Sequence, residues 1–224
     1  MGAARDLQGS FDLAGIIDHT LLSPDALPSQ ADAICDEAMK YGFKAVCVNP
    51  VYLPRVAKRL AGSGVAPCSV IGFPFGADPT EITAAEAAWV VANGAREVDM
   101  VIALGLLKAG ETDAVTADIA AVKAACGDAL LKVIIEATLL DEEQKVRACR
   151  CAMEAGADFV KTSTGFAGGG ATVEDVSLMR RTVGPDMGVK ASGGVRTTAD
   201  ARAMVEAGAS RIGASASIAI VSGD

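Results

Sequence analysis

Histidine is almost missing from this chain. His19 is the only one in 224 residues, which weakens any zinc-cluster or histidine-triad reading. Aromatic residues are scarce as well, at 4%, although 51% of the chain is hydrophobic. The apolar mass is therefore Ala, Val, Ile and Leu, which suits buried parallel strands and Ala-rich covering helices and argues against disorder. A surplus of basic charge is also absent: the formal net charge is −8, with no basic cluster. Nucleic acid and anionic membrane surfaces are thus poor candidate partners, and an anionic substrate needs a local site that works against the overall field. The six cysteines, Cys35, Cys47, Cys68, Cys126, Cys149 and Cys151, match no zinc spacing. They read as small buried hydrophobes in a reducing compartment. No run is long and apolar enough to suggest a membrane span. Met1 to Gln8 carries Arg5 and Asp6 and no apolar core, so no secretory signal is expected and the cytoplasm is the default location.

What is present is a repeating unit: a helical pattern, a glycine, then a short apolar run. Gly42 precedes Ala45-Val46-Cys47-Val48, Gly94 precedes Val98 to Ile102, Gly156 precedes Phe159-Val160-Lys161, and Gly208 precedes Arg211-Ile212-Gly213. Gly64, Gly127 and Gly188 introduce less regular runs at Ser69 to Ile71, Leu130 to Ile135 and Val189 to Ala191. With Ile16-Ile17-Asp18 these make eight candidate strands. Between them, helical spacing marks Asp32 to Tyr41, Tyr52 to Ala61, Thr83 to Asn93, Asp113 to Ala125, Glu142 to Ala155, Val173 to Thr182 and Thr198 to Ala207. Thr80-Glu81 and Asp141-Glu142-Glu143 supply caps and acids at helix starts. Alternating strands and helices predict a single α/β domain, a parallel (β/α)8 TIM barrel spanning 1–224, with a short segment of about 14 residues before the first strand. An open doubly wound sheet is the alternative, but no G-x-G-x-x-G follows the first strand.

In such a barrel, chemistry gathers at the C-terminal ends of the strands. Asp18-His19-Thr20 closes the first candidate strand, Asn49 the second, Glu136 the fifth, Lys161 the sixth and Lys190 the seventh. Asp99 lies among apolar neighbours in the fourth. A buried carboxylate must be paired or perform chemistry. An ammonium at the end of an apolar strand is costly to bury, and a neutral lysine amine is the nucleophile that forms Schiff bases with carbonyl compounds. If the sixth and seventh strands are neighbours, Lys161 and Lys190 stand about 4.8 Å apart in backbone. Their ammonium groups then repel, and leaving one neutral lowers the energy. Asp99 offsets the remaining charge and serves proton transfer. The alternatives are a lysine snorkelling out at a strand end and a buried Lys–Asp–Lys ion network without chemistry. Gly193-Gly194 and Gly213-Ala214-Ser215 follow the seventh and eighth strands, where barrels bind phosphate through backbone N–H groups; Ser215 adds a hydroxyl and Arg196 a charge. Gly168-Gly169-Gly170 reads as tight turns only.

Lys161-Thr162-Ser163-Thr164-Gly165-Phe166 resembles the Schiff-base motif of the deoxyribose-phosphate aldolase family. The resemblance runs in order along nearly the whole chain. It includes Ile17-Asp18-His19-Thr20-Leu21-Leu22, Gly72-Phe73-Pro74-Phe75-Gly76, Glu97 to Ile102, Val189 to Thr197, and Arg211-Ile212-Gly213-Ala214-Ser215.

The resemblance implies a (β/α) barrel and a class I aldolase that needs no metal and no cofactor. It would cleave 2-deoxy-D-ribose 5-phosphate reversibly to glyceraldehyde 3-phosphate and acetaldehyde. Lys161 would form the imine, with Asp99 and Lys190 as acid/base partners and Asp18, Thr20 and Thr162 in support. Gly165, Gly193, Gly194, Arg196, Gly213 and Ser215 would hold the phosphate, and the family suggests a homodimer. Some positions depart from the family pattern: Ala103 stands where asparagine is common, Ser23 where lysine is frequent, and Ala216 where some members carry a second serine. No tyrosine ends the chain at Asp224. The rival functions are a phosphosugar isomerase or epimerase and a non-catalytic phosphometabolite-binding barrel.

Overall fold

The computed structural model describes residues 12–223; the reading of Met1 to Gln8 lies outside them. Eight strands pair in parallel in the order β1-β2-β3-β4-β5-β6-β7-β8 and close on themselves through β8 and β1. They are β1 (Ile17–Leu21), β2 (Ala45–Val48), β3 (Ala66–Ile71), β4 (Glu97–Val101), β5 (Leu130–Ile134), β6 (Phe159–Lys161), β7 (Gly188–Ser192) and β8 (Arg211–Ala214). Closure leaves no unpaired edge, and the single-domain α/β barrel expected from the repeating unit is the observed fold.

The helices are α1 (Pro28–Tyr41), α2 (Leu53–Arg59), α3 (Thr80–Ala92), α4 (Leu104–Ala109), α5 (Thr112–Cys126), α6 (Glu142–Glu154), α7 (Val173–Val183), α8 (Thr198–Glu206) and α9 (Ser217–Ser222). Helix α1 illustrates how the sequence builds them. Pro28 fits the first turn, and Ala31, Ile34, Cys35 and Ala38 form one buried stripe at helical spacing. Gly42 then ends the helix in a left-handed conformation, φ 71°. Asp141 caps α6 as expected, accepting the Gln144 N–H at 2.8 Å while the Gln144 side chain returns to the Asp141 N–H. Thr80 does not cap α3: it is the first helical residue, after Pro79. Helix α4 was not anticipated. Its six residues bury only Leu107, too little to produce a readable period. Among the described residues, no helix is long and apolar enough to cross a membrane.

Side-chain alternation divides the strands into two faces. Val46, Val98, Met100, Leu131, Val133, Val160, Val189 and Ile212 point outward and form the core beneath the helices. The inward set is uneven. One side of the barrel holds Ala45, Cys47, Cys68 and Val70. The other holds charge: Glu97 and Asp99 on β4, Lys132 on β5, Lys161 on β6, Lys190 on β7, Arg211 on β8 and Asp18 on β1, all buried.

Candidate active site

Strand register explains why these charges meet. Asp99 lies beside Lys132 across β4–β5, and Lys161 beside Lys190 across β6–β7. The Asp99 carboxylate is held from both ends. Its Oδ2 accepts from Lys161 Nζ at 2.8 Å and from Lys190 Nζ at 2.7 Å, while its Oδ1 accepts from Lys132 Nζ at 2.8 Å and the Cys68 thiol at 3.4 Å. Asp18 accepts from Lys190 through Oδ2 and from Arg211 at 2.7 Å through Oδ1. Glu97 takes Arg211 at 2.7 Å and Lys132 at 2.7 Å. Four cationic side chains thus share three carboxylates in one continuous network.

Such a network survives burial only because every charge has a partner. Burial opposes ionisation of Asp99, but Lys132, Lys161 and Lys190 outweigh it and hold the carboxyl well below the usual range. Burial likewise opposes charge on Asp18, and Lys190, Lys132 and Arg211 overcome it. Lys190 and Lys132 are disfavoured by burial yet held above the ordinary lysine value by the carboxylates they touch, Asp18 and Asp99 foremost for Lys190 and Asp99 for Lys132.

A cavity of about 470 Å³ opens above the network, at the C-terminal ends of the strands. Lys161 lines it together with Thr20, Thr164, Gly165, Gly193, Gly194, Arg196, Gly213 and Ser215. Each residue expected to hold phosphate therefore borders the same cavity as the expected nucleophile. Asp99, Lys190 and Asp18 lie beneath it. Thr20 donates its hydroxyl to the Asp18 carbonyl at 2.8 Å, and Thr162, fully buried, bonds both the C=O and the N–H of Ser192 at 3.0 Å. These two threonines brace β1 and the β6–β7 pair; neither hydroxyl bonds a lysine. Phe166 stands edge-on to Phe73, 5.3 Å between ring centres, at the rim. A larger cavity, about 750 Å³, lies at the opposite end among Lys44, Arg96, Pro67 and Leu130, away from the nucleophile.

Two glycines have particular causes. A β-carbon on Gly213 would come within 2.9 Å of Lys190 Cε, so this glycine clears the path by which Lys190 reaches Asp99. Gly193 has φ 85°, and a β-carbon there would meet Gly170 Cα at 2.9 Å. The Gly168–Gly170 run, read as turns only, thus packs against the Gly193 loop, and the Ala171 N–H donates to the Gly193 carbonyl at 2.9 Å.

The sequence reading passed over Lys132, Glu97 and Arg211. A signal for Lys132 existed: it interrupts the apolar strand Leu130 to Ile134 as Asp99 interrupts β4. Glu136, noted only as a strand end, is buried with φ 50° and accepts both the N–H and the hydroxyl of Thr164, shaping the loop after Lys161.

The Cys47 and Cys68 sulfurs and an Asp99 oxygen lie within 4.8 Å of one another, a spacing that metal ligands adopt. The surrounding charge opposes a cation: Lys132 Nζ is 3.5 Å from Cys68 Sγ, and both Asp99 oxygens are taken by ammonium groups. Burial, a bond to Cys47 and the nearby Asp99 push the Cys68 thiol well up, so it stays protonated.

The family model described as DeoC/LacD family aldolase matches residues 13–223. A deoxyribose-phosphate aldolase of Rhodospirillum rubrum is 71% identical over 95% of this chain and 90% of its own. One of Brevibacillus brevis is 60% identical over 92% of this chain and 94% of its own. A solved structure of deoxyribose phosphate aldolase from Aeropyrum pernix, described as a unique tetramer, superposes with a TM-score of 0.88 at 39% identity, covering 94% of this chain and 89% of that one.

Proposed function

Because the chain belongs to the DeoC/LacD family of aldolases, we propose that it cleaves 2-deoxy-D-ribose 5-phosphate reversibly, through a Schiff base on Lys161, to glyceraldehyde 3-phosphate and acetaldehyde. The observation that carries this reading is the charge imbalance beneath the pocket. Lys132, Lys161, Lys190 and Arg211 share Asp18, Glu97 and Asp99. One cation is in excess, and Lys161 is the one at the floor of the pocket. Lys190 and Lys132 are held charged by their carboxylates, and Lys161 is the lysine whose amine borders the pocket, where a carbonyl carbon can reach it.

The steps follow from that arrangement. Neutral Lys161 attacks the aldehyde carbon of the open-chain sugar, and loss of water gives a protonated imine. The positive charge restored at Nζ faces Asp99 Oδ2, which is ionised and preorganised for it. Asp99, working with Lys190 and a water, takes the proton from the C3 hydroxyl; the C2–C3 bond breaks, and glyceraldehyde 3-phosphate departs. The enamine takes a proton at carbon and is hydrolysed to acetaldehyde, which frees Lys161. Gly193, Gly194, Gly213, Ser215 and Arg196 hold the phosphate, with Gly165 beside them.

Turnover of deoxyribose 5-phosphate, followed as release of acetaldehyde, tests the reading; folded protein that binds the sugar phosphate without cleaving it would overturn it. Lys190→Leu removes the second ammonium from Asp99 Oδ2. Turnover is expected to fall about 10²- to 10⁴-fold, with the pH–rate profile displaced, and full activity with an unmoved profile would sink the role given to Lys190. A homodimer is the assembly we carry forward, to be checked by sedimentation; the mass of one chain would refute it.

A further inference from the structure

The one histidine takes no part in the network. It follows Asp18 on β1, and strand alternation turns it outward while Asp18 points in. There it is buried against Phe43, 5.0 Å between ring centres. Both ring nitrogens are engaged: Nε2 lies 2.8 Å from Glu37 Oε2 on α1, and Nδ1 lies 2.9 Å from Ser217 Oγ on α9. The Ser217 oxygen is in turn 2.9 Å from the Ala214 carbonyl. A polar chain thus runs from the surface carboxylate of Glu37 through His19 and Ser217 into the turn between β8 and α9. Ser215 of that turn lines the pocket, next to Gly213 and Ala214 at the end of β8.

The residue types are those of a hydrolytic triad, but the geometry is not catalytic. Ser217 is fully buried, with no access to a substrate. Its single hydroxyl hydrogen has two acceptors within reach, Nδ1 and the Ala214 oxygen. Burial pushes the imidazole pKa down, and Glu37 works against that shift. With the ring neutral, its one hydrogen belongs on Nε2, facing the Glu37 carboxylate, and Nδ1 accepts from Ser217.

The turn needs outside support. Helix α9 has only six residues, too few to fix its own orientation. Besides the buried Ile220, two side-chain hydrogen bonds tie it down. Thr198 donates to the Ile220 carbonyl at 2.6 Å near its end, and Ser217 joins it to His19 at its start. Loss of the second tie loosens Ser215 and Ala216, the connection between paired β8 and α9, while Lys161, Asp99 and Lys190 sit on other strands with their own partners.

We propose that His19, braced by Glu37 and acting through Ser217, is a positioning residue that sets the β8–α9 turn against the substrate's phosphate and so governs preference for the phosphorylated sugar. This rests on the phosphate site proposed above.

The test compares deoxyribose 5-phosphate with unphosphorylated 2-deoxyribose in wild type, Ser217→Ala, His19→Phe and Arg196→Gln. Trapping of the acetaldehyde imine serves as a readout without phosphate. Ser217→Ala and His19→Phe are each expected to raise KM for the phosphorylated sugar about tenfold. Their kcat, their KM for 2-deoxyribose and acetaldehyde trapping are expected to stay at wild-type values. A merely structural role would lower kcat for both sugars alike and leave the KM ratio unmoved, and that result overturns the proposal. So does an unchanged KM in Ser217→Ala, whatever His19→Phe does to folding. If Arg196→Gln alone loses the preference, the phosphate site stands and the role of His19 falls. If wild type itself does not prefer the phosphorylated sugar, the phosphate site falls and the proposal with it.

Discussion

Lys161→Ala is expected to reduce turnover of deoxyribose 5-phosphate by about 10⁴- to 10⁶-fold, the range set by removing a covalent nucleophile from an otherwise intact site. Lys161→Arg is expected to be equally inactive: guanidinium keeps the charge beside Asp99 but does not deprotonate. Borohydride with acetaldehyde or the sugar phosphate, read by peptide mass spectrometry, is expected to mark the peptide carrying Lys161 in wild type and none in Lys161→Ala. A trapped adduct at another lysine, with turnover retained in the variant, would remove Lys161 from the mechanism. The same variant makes a second statement about the network. Without Lys161, the cations Lys132, Lys190 and Arg211 still balance Asp18, Glu97 and Asp99. Lys161→Ala is therefore expected to melt close to wild type.

Lys132→Met is expected to behave in the opposite way. Lys132 is fully buried and bonds Glu97 at 2.7 Å and Asp99 at 2.8 Å, with Asp18 at 3.6 Å. Methionine fills much of the space but leaves Glu97 with Arg211 alone and Asp99 Oδ1 without an ammonium, because Lys161 and Lys190 both bond Oδ2. Breaking a buried ion pair from one side costs about 3–5 kcal/mol, which for a chain of this size lowers Tm by on the order of 10 °C. Asp99 also loses the partner on Oδ1 that leaves Oδ2 to face Lys161 and Lys190, so activity falls as well. Thermal denaturation beside Lys161→Ala decides the matter. Equal melting temperatures for the two variants would show that the network does not depend on the pairs that Lys132 makes with Glu97 and Asp99. The acid side offers an independent check. Asp99 and Asp18 are held below the ordinary carboxylate range, so their contribution is complete above the unfolded value near 4 and is lost as pH falls through the depressed ones. A Tm that falls steeply only in strong acid is the expected profile.

The architecture was legible in the sequence, and so were the candidates Lys161, Asp99 and Lys190 for the reacting groups. Apolar runs of strand length, each preceded by a glycine stop such as Gly42 or Gly156 and separated by helical stripes, admit little besides a parallel barrel, because both faces of such strands must be covered. Once the barrel is given, the C-terminal rule and the motif from Lys161 to Phe166 point to the end where Lys161 lines a cavity. Tertiary structure alone decided how the charges are paired. Arg211 meets Asp18 across 193 positions of sequence, and Lys161 reaches Asp99 across 62. Such contacts depend on closure and on strand register, neither of which is written locally. Lys132 was visible as a lysine in an apolar strand, yet only the register beside Asp99 gives it a purpose. His19 stood in plain sight in the first motif; that it faces out of the barrel, toward Glu37 and Ser217, follows from alternation together with helices that the chain reaches 18 and 198 residues later.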